Sequence, residues 1–160
     1  MLQNPDSANR LRPCQGIKTD AAHSVKRHIT EYQSINLCTG ERIFYKNLGS
    51  QTVNIGEFLA VVEVARYIIE TDFRPRVIYT DSMTALTWFE EKATGSNKRN
   101  KELQKAEIFL KVFARETDSI SVRHWDKKSC GAKTRWTSGI NKSKKTGNQQ
   151  PLLPRFTIHI

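Results

Sequence analysis

The strongest periodic pattern lies between Phe58 and Ile69. Phe58, Leu59, Val62, Ala65, Ile68 and Ile69 recur at helical spacing as a broad apolar stripe. Asn54 precedes it as a good N-cap, with Glu57 at the third helical position, so a helix is predicted from about Asn54 to Glu70. Upstream the period changes to two. Gly16-Ile17-Lys18-Thr19 reads as a strand that ends at Asp20, and His28 to Asn36 alternates through Ile29, Glu31, Gln33 and Ile35. Thr39-Gly40 is a turn and Arg42-Ile43-Phe44-Tyr45 a returning strand, which makes an antiparallel meander. Beyond the helix, Pro75 breaks the chain before a short buried strand, Val77 to Tyr79. Met83 to Glu91 turns helical again, with Ala85, Leu86 and Phe89 on one side. Leu103, Ala106, Leu110 and Phe113 mark a third helix after a polar loop from Thr94 to Asn100, and Ser119 to His124 is a last strand. The order β-β-β-α-β-α-α-β predicts an α/β domain: a mixed five-stranded sheet with helices packed on it.

This pattern brings three acids to one place. Asp81 falls where its strand stops, on the rim of the sheet where ligands bind in open α/β folds. Asp20 ends the first strand and Glu57 lies in the first turns of the long helix, so both can reach that rim. Converging carboxylates suit hard divalent cations. Taken singly each has a plainer reading: Asp20 as a turn residue, Asp81 as an N-cap, Glu57 as a capping-box partner.

Charge divides the chain unevenly. The net charge is +10, but residues 131–160 hold Lys133, Arg135, Lys142, Lys144, Lys145 and Arg155 with no Asp or Glu, leaving +4 for the rest. The body is mildly basic, compatible with a phosphate-rich partner. No apolar run approaches the ~18 residues of a membrane span, and the polar start, with Pro5, Asp6 and Arg10, does not resemble a signal peptide. Cys14, Cys38 and Cys130 are scattered and fit no zinc spacing, which suits a reducing cytoplasm. Residues 1–15 read as a flexible lead-in, 16–130 as the domain, and 131–160 as an atypical tail.

The local strings around the acids resemble those of ribonuclease H type 1. They are Thr19-Asp20-Ala21-Ala22, Thr52-Val53-Asn54-Ile55-Gly56-Glu57-Phe58 and Tyr79-Thr80-Asp81-Ser82. The segment Asn54 to Phe58, and Trp88 after Asp81-Ser82, resemble a bacterial subgroup of that family in particular. The resemblance implies an RNase H-like fold and cleavage of the RNA strand of RNA–DNA hybrids with two Mg²⁺ ions, Mn²⁺ being a possible substitute. Asp20 would bridge both ions, with Glu57 and Asp81 holding one of them. Asn54 and Ser82 would face the minor-groove hydroxyls, and Lys92, Lys98, Arg99, Lys101 and Lys105 would meet phosphates. It implies no membrane and no obligate protein partner. The order Asp–Glu–Asp separates this pattern from integrases and transposases of related fold, which place the glutamate last.

Two departures stand out. Where the family has a glycine-rich turn, this chain has His23-Ser24-Val25-Lys26-Arg27-His28. The family also carries a fourth carboxylate after the last strand, and no Asp or Glu occurs beyond Asp126. Asp126 is a possible substitute that sits early for the role. The subgroup ends in Trp, four residues, then Trp-Gly-Glu-x-Pro-x-Asp-Phe-Gly-x-Lys. Here Trp125 is followed by four residues and then by Cys130-Gly131-Ala132-Lys133-Thr134-Arg135-Trp136-Thr137. With the degenerate bases chosen to fit, codons for Cys130 onward, read from the third base of the Cys130 codon, spell W-G-E-N-P-L-D-F-G-H-K and then stop, and Trp136-Thr137 forces the aspartate codon. The tail is therefore expected to be out of frame after about Cys130, with loss of the fourth acid impairing the enzyme. A non-catalytic module binding hybrid or double-stranded RNA is the alternative, and a DNA strand-transfer relative a third. His23, His28 and His124 read as structural or surface residues, Trp88 and Trp125 as packing, and Lys98, Arg99 and Lys101, taken alone, are more often a solvated loop than a binding patch.

Overall fold

In the computed structural model the described residues are 15–97 and 100–126. Five strands, β1 (Ile17–Ser24), β2 (Ile29–Asn36), β3 (Arg42–Asn47), β4 (Val77–Thr80) and β5 (Ser121–His124), form one sheet in the order β3-β2-β1-β4-β5. The first three are antiparallel; β4 runs parallel to β1 and to β5. Helices α1 (Val53–Thr71), α2 (Met83–Glu91), α3 (Lys101–Val112) and α4 (Ala114–Asp118) complete the fold. This is the mixed five-stranded sheet with packed helices that the pattern predicts. Among the described residues no helix is long and apolar enough to cross a membrane.

The core forms where α1 lies on the sheet. Ile17, Phe58, Val61, Ala65, Ile68 and Ile78 are fully buried there, with Leu103 and Leu110 of α3 and Phe89 of α2 closing the outer side. The alternation along β1 sends Ile17, Thr19 and Ala21 toward α1, while Lys18 goes to the other face, over the Trp125 ring at 4.8 Å. Tyr79 meets the same ring edge-on at 5.7 Å, a second small cluster with Leu37 and Val77 around it.

Several boundaries differ from the expected ones, β5 among them, which begins at Ser121 and not at Ser119. β1 does not end at Asp20 but continues to Ser24, because Ala21, Ala22, His23 and Ser24 pair with Tyr32, Glu31, Thr30 and Ile29. β2 begins at Ile29, since His28 adopts a left-handed φ of 51° in the turn. The N-cap of α1 is Thr52, whose hydroxyl accepts from the Ile55 N–H, so Asn54 lies inside the first turn. The third predicted helix breaks at Phe113 into α3 and α4. The polar loop after α2 is tied down by Glu107, whose Oε1 accepts from the Thr94 N–H at 2.8 Å and its hydroxyl at 2.6 Å. The lead-in before residue 15, Cys14, Lys98, Arg99, Cys130 and the tail lie outside the described residues.

Candidate metal centre

Asp20, Glu57 and Asp81 meet at one end of β4. The β1–β4 pairing reaches Lys18 opposite Tyr79. Two residues further, Asp20 is level with Asp81, and there β4 has stopped while β1 continues. Asp20 thus belongs to a strand that outlasts its neighbour, which leaves its side chain at the open step. Asp81 is exposed because Ser82 takes over the N-cap of α2, its hydroxyl accepting from the Ala85 N–H at 3.1 Å. The end of β4 is fixed by the Trp125 N–H, which donates to the Thr80 carbonyl at 2.7 Å.

Glu57 arrives from above. Its helix can approach β1 closely because residue 56 is glycine: a Cβ there would stand 2.8 Å from the Thr30 methyl and 3.3 Å from the Ala21 Cβ. At that approach Glu57 Oε1 accepts from the Ala21 N–H at 2.9 Å. Glu57 is therefore a bridge to the sheet, not a capping-box partner. Its other oxygen, Oε2, is buried with no hydrogen-bond partner.

The three residues each offer a carboxylate oxygen, and these atoms all lie within 4.8 Å of one another. Such crowding has an electrostatic signature. Burial, then the Asp81 charge, push the Glu57 carboxyl up to about 8; the Ala21 N–H and Lys18 oppose the shift, and Asp20 adds to it. A buried anionic oxygen without a partner is expensive, and a cation placed among the three acids would relieve it. The donor set, oxygen only, suits a hard divalent cation. Asp126, exposed just beyond Trp125, is not part of this group.

The described residues expected to touch a nucleic acid lie on several elements. Asn54 is exposed in the first turn of α1. Ser82 is half-buried beside Asp81, with its backbone N–H donating to Thr80 Oγ1 at 3.2 Å. Lys101 is exposed at the start of α3, while Lys92 pairs with Asp118 at 2.9 Å and Lys105 with Glu102 at 3.5 Å. Trp88 packs edge-on against Phe58 at 5.6 Å, as expected of a packing residue. One residue read as structural or surface has a more defined setting: His23 Nδ1 lies 2.8 Å from the hydroxyl of buried Thr30, on the part of β1 that was not recognised as strand. Continuing the alternation Ile17, Thr19, Ala21 by one step would have placed it on the α1 side.

No family model matches the chain. Solved structures similar to it include the N-terminal RNase H domain of a Mycobacterium tuberculosis protein, at 12% identity, covering 69% of this chain and 84% of that one, with a TM-score of 0.47. RNase H1 of Halobacterium salinarum is similar at 12% identity, over 70% and 85% of the two chains, with a TM-score of 0.41. A compost-derived RNase H1 solved in complex with an RNA/DNA hybrid is similar at 10% identity, over 72% and 88%, with a TM-score of 0.49. At such identities the chemistry of the site has to be read from its own residues.

Proposed function

We propose that this chain is a divalent-cation-dependent nuclease that hydrolyses the RNA strand of RNA–DNA hybrids, with Asp20, Glu57 and Asp81 as cation ligands. The observation that supports this most is the convergence of three acids, distant in sequence, to within 4.8 Å, with one buried oxygen lacking a partner. Mg²⁺, or Mn²⁺ in its place, would supply a polarised water and neutralise charge building on the phosphate and the departing oxygen. The chain's own part is to hold and to orient. The Ala21 N–H fixes Glu57 Oε1, which holds the carboxylate beside the other two acids. Without a cation Glu57 keeps a proton up to about pH 8, so cation entry displaces that proton. Asn54 and Ser82 flank the acids from the starts of α1 and α2 and are assigned to the sugar edge of the RNA strand. Lys101, at the start of α3, is assigned to phosphates, as are Lys98 and Arg99, which lie outside the described residues.

A second reading, a module that binds hybrid without cutting it, is favoured by one feature: among the described residues the acid group stops at three, and the sequence has no Asp or Glu beyond Asp126. A shifted reading frame after about Cys130 accounts for that loss and predicts weak activity. Resequencing the gene tests the frame; related reads that keep the present frame would remove the explanation. Incubating the purified chain with labelled hybrid and Mg²⁺ or Mn²⁺ tests the function. Cleavage that disappears in Asp81→Asn supports the nuclease. Tight binding without cleavage supports the module, and joined DNA products would point to strand transfer.

A further inference from the structure

Lys18 sits where an aliphatic side chain would pack. It lies on the face of β1 away from α1, and its register partners there are Ile35 and Tyr79, both buried. Its Nζ stands over the ring of Trp125, 4.8 Å from the centroid, and Trp125 is buried as well. An ammonium among apolar neighbours costs free energy unless negative charge stands close by. Here that charge belongs to the metal centre. Asp20 is two residues on along the same face of β1, about 7 Å by strand rise. Trp125 is fixed by its N–H on the carbonyl of Thr80, the residue before Asp81, so the ring beneath Lys18 is tied to the strand that ends in the second aspartate. The charge of Lys18 also reaches Glu57, whose carboxyl it draws back toward the ordinary range. Strand register, ring contact and charge all direct Lys18 toward the acid group.

We infer that Lys18 is a positioning residue of the metal centre: its ammonium stands in permanently for part of the positive charge that the three acids need, so that a single divalent cation completes the site. This rests on the cation-binding reading above. The charge count is direct. Three carboxylates and one ammonium leave two negative charges, which one divalent ion cancels. A second ion would enter a group that is already neutral. A clamp of two ions needs a surplus of negative charge that these four residues do not have. The ammonium also repels the ion it leaves room for, which keeps the affinity of the centre moderate. The Trp125 ring keeps that charge in one place, where a lysine without such a contact would swing out to solvent.

The test counts ions and needs no cleavage. Urea unfolding of the full chain is followed over a series of Mg²⁺ concentrations at about pH 9, above the titration of Glu57 near 8. The concentration at which stabilisation sets in gives the affinity, and the limiting slope against log Mg²⁺ concentration gives the number of ions. Wild type is expected to take one. Lys18→Met keeps an unbranched stem on the ring and drops the charge, and should take Mg²⁺ about tenfold more tightly, on the scale of one full charge removed from beside the site. Lys18→Arg keeps the charge and should match wild type within about twofold. If Lys18→Met does not fold, Lys18→Gln carries the same comparison. Two ions in wild type, a Lys18→Met affinity equal to or below that of wild type, or an equal gain in Lys18→Arg each overturns the role of Lys18 and leaves the metal centre standing. An Asp81→Asn variant that takes Mg²⁺ as wild type does overturns the centre itself, and the role of Lys18 with it.

Discussion

Replacing Glu57 by glutamine should stabilise the cation-free protein, and by an amount that grows with pH. In the folded chain the Glu57 carboxyl titrates near 8, against an ordinary value of 4.5, mainly because it is buried and secondarily because Asp81 is close. The sign follows from where the proton sits. Above about pH 4.5 the unfolded chain releases it while the folded chain keeps it, so raising the pH favours unfolding by about 1.4 kcal/mol per unit. The loss levels off near pH 8, where the folded carboxyl ionises too. Glutamine has nothing to release. The stability difference between Glu57→Gln and wild type should therefore widen by about 3 to 4 kcal/mol between roughly pH 5 and pH 8. Urea unfolding in a chelator, at a series of pH values, measures it, and taking the difference cancels the other titrations. Adding Mg²⁺ at the alkaline end should close most of that gap: about a hundredfold excess over the dissociation constant adds about 2.7 kcal/mol to wild type and much less to the variant. A difference that stays flat with pH would mean that Glu57 is not held in a dry, anionic corner, and the metal centre would lose its main support.

Other outcomes follow from the same geometry. Asp81→Asn should lower Mg²⁺-dependent cleavage of a labelled hybrid by at least about 100-fold while leaving the melting temperature in chelator unchanged or higher, since the exposed acid only repels its neighbours. Gly56→Ala should destabilise the fold by about 1–3 kcal/mol in urea unfolding, because its methyl would stand 2.8 Å from the Thr30 methyl, and should weaken cation binding by moving Glu57 off Ala21. Lys101→Ala should reduce the slope of log affinity against log salt for a hybrid by about 0.7–0.9, one phosphate contact, with cleavage at saturation unchanged. A slope equal to wild type would remove Lys101 from the interface.

The sheet and the long helix were legible because their signals are local. The stripe from Phe58 to Ile69 is helical by spacing alone, and β2 alternates within itself. Asp81 could be placed for the same reason, at the end of a short apolar run. What escaped was decided by partners far along the chain. Ala21 to Ser24 carry little hydrophobic signal, and they are strand only because β2 offers them a ladder; hence Asp20 was expected at an end and His23 outside the fold's regular part. Thr52 displaced Asn54 as the cap because the loop that leads in from Gly49 sets the backbone there, and either residue type suits the position. The role of Glu57 changed with it: a glutamate near a helix start reads as a cap partner until Gly56 is seen to bring β1 within reach.

The pairing of β1 with β4 is short, Ile17 with Ile78 and Lys18 with Tyr79, and among the described residues it is what joins the antiparallel meander to the parallel half of the sheet through backbone register. Asp20 hangs from one side of that seam and Asp81 from the other. The Thr19 hydroxyl, donating to the Tyr79 carbonyl at 3.3 Å, is a small rivet beneath them. An ion seated between the two aspartates, as proposed, would clasp the sheet across the line with the fewest paired residues. Amide hydrogens of β4 should exchange with solvent more slowly once it closes, with those of the β2–β3 hairpin hardly affected.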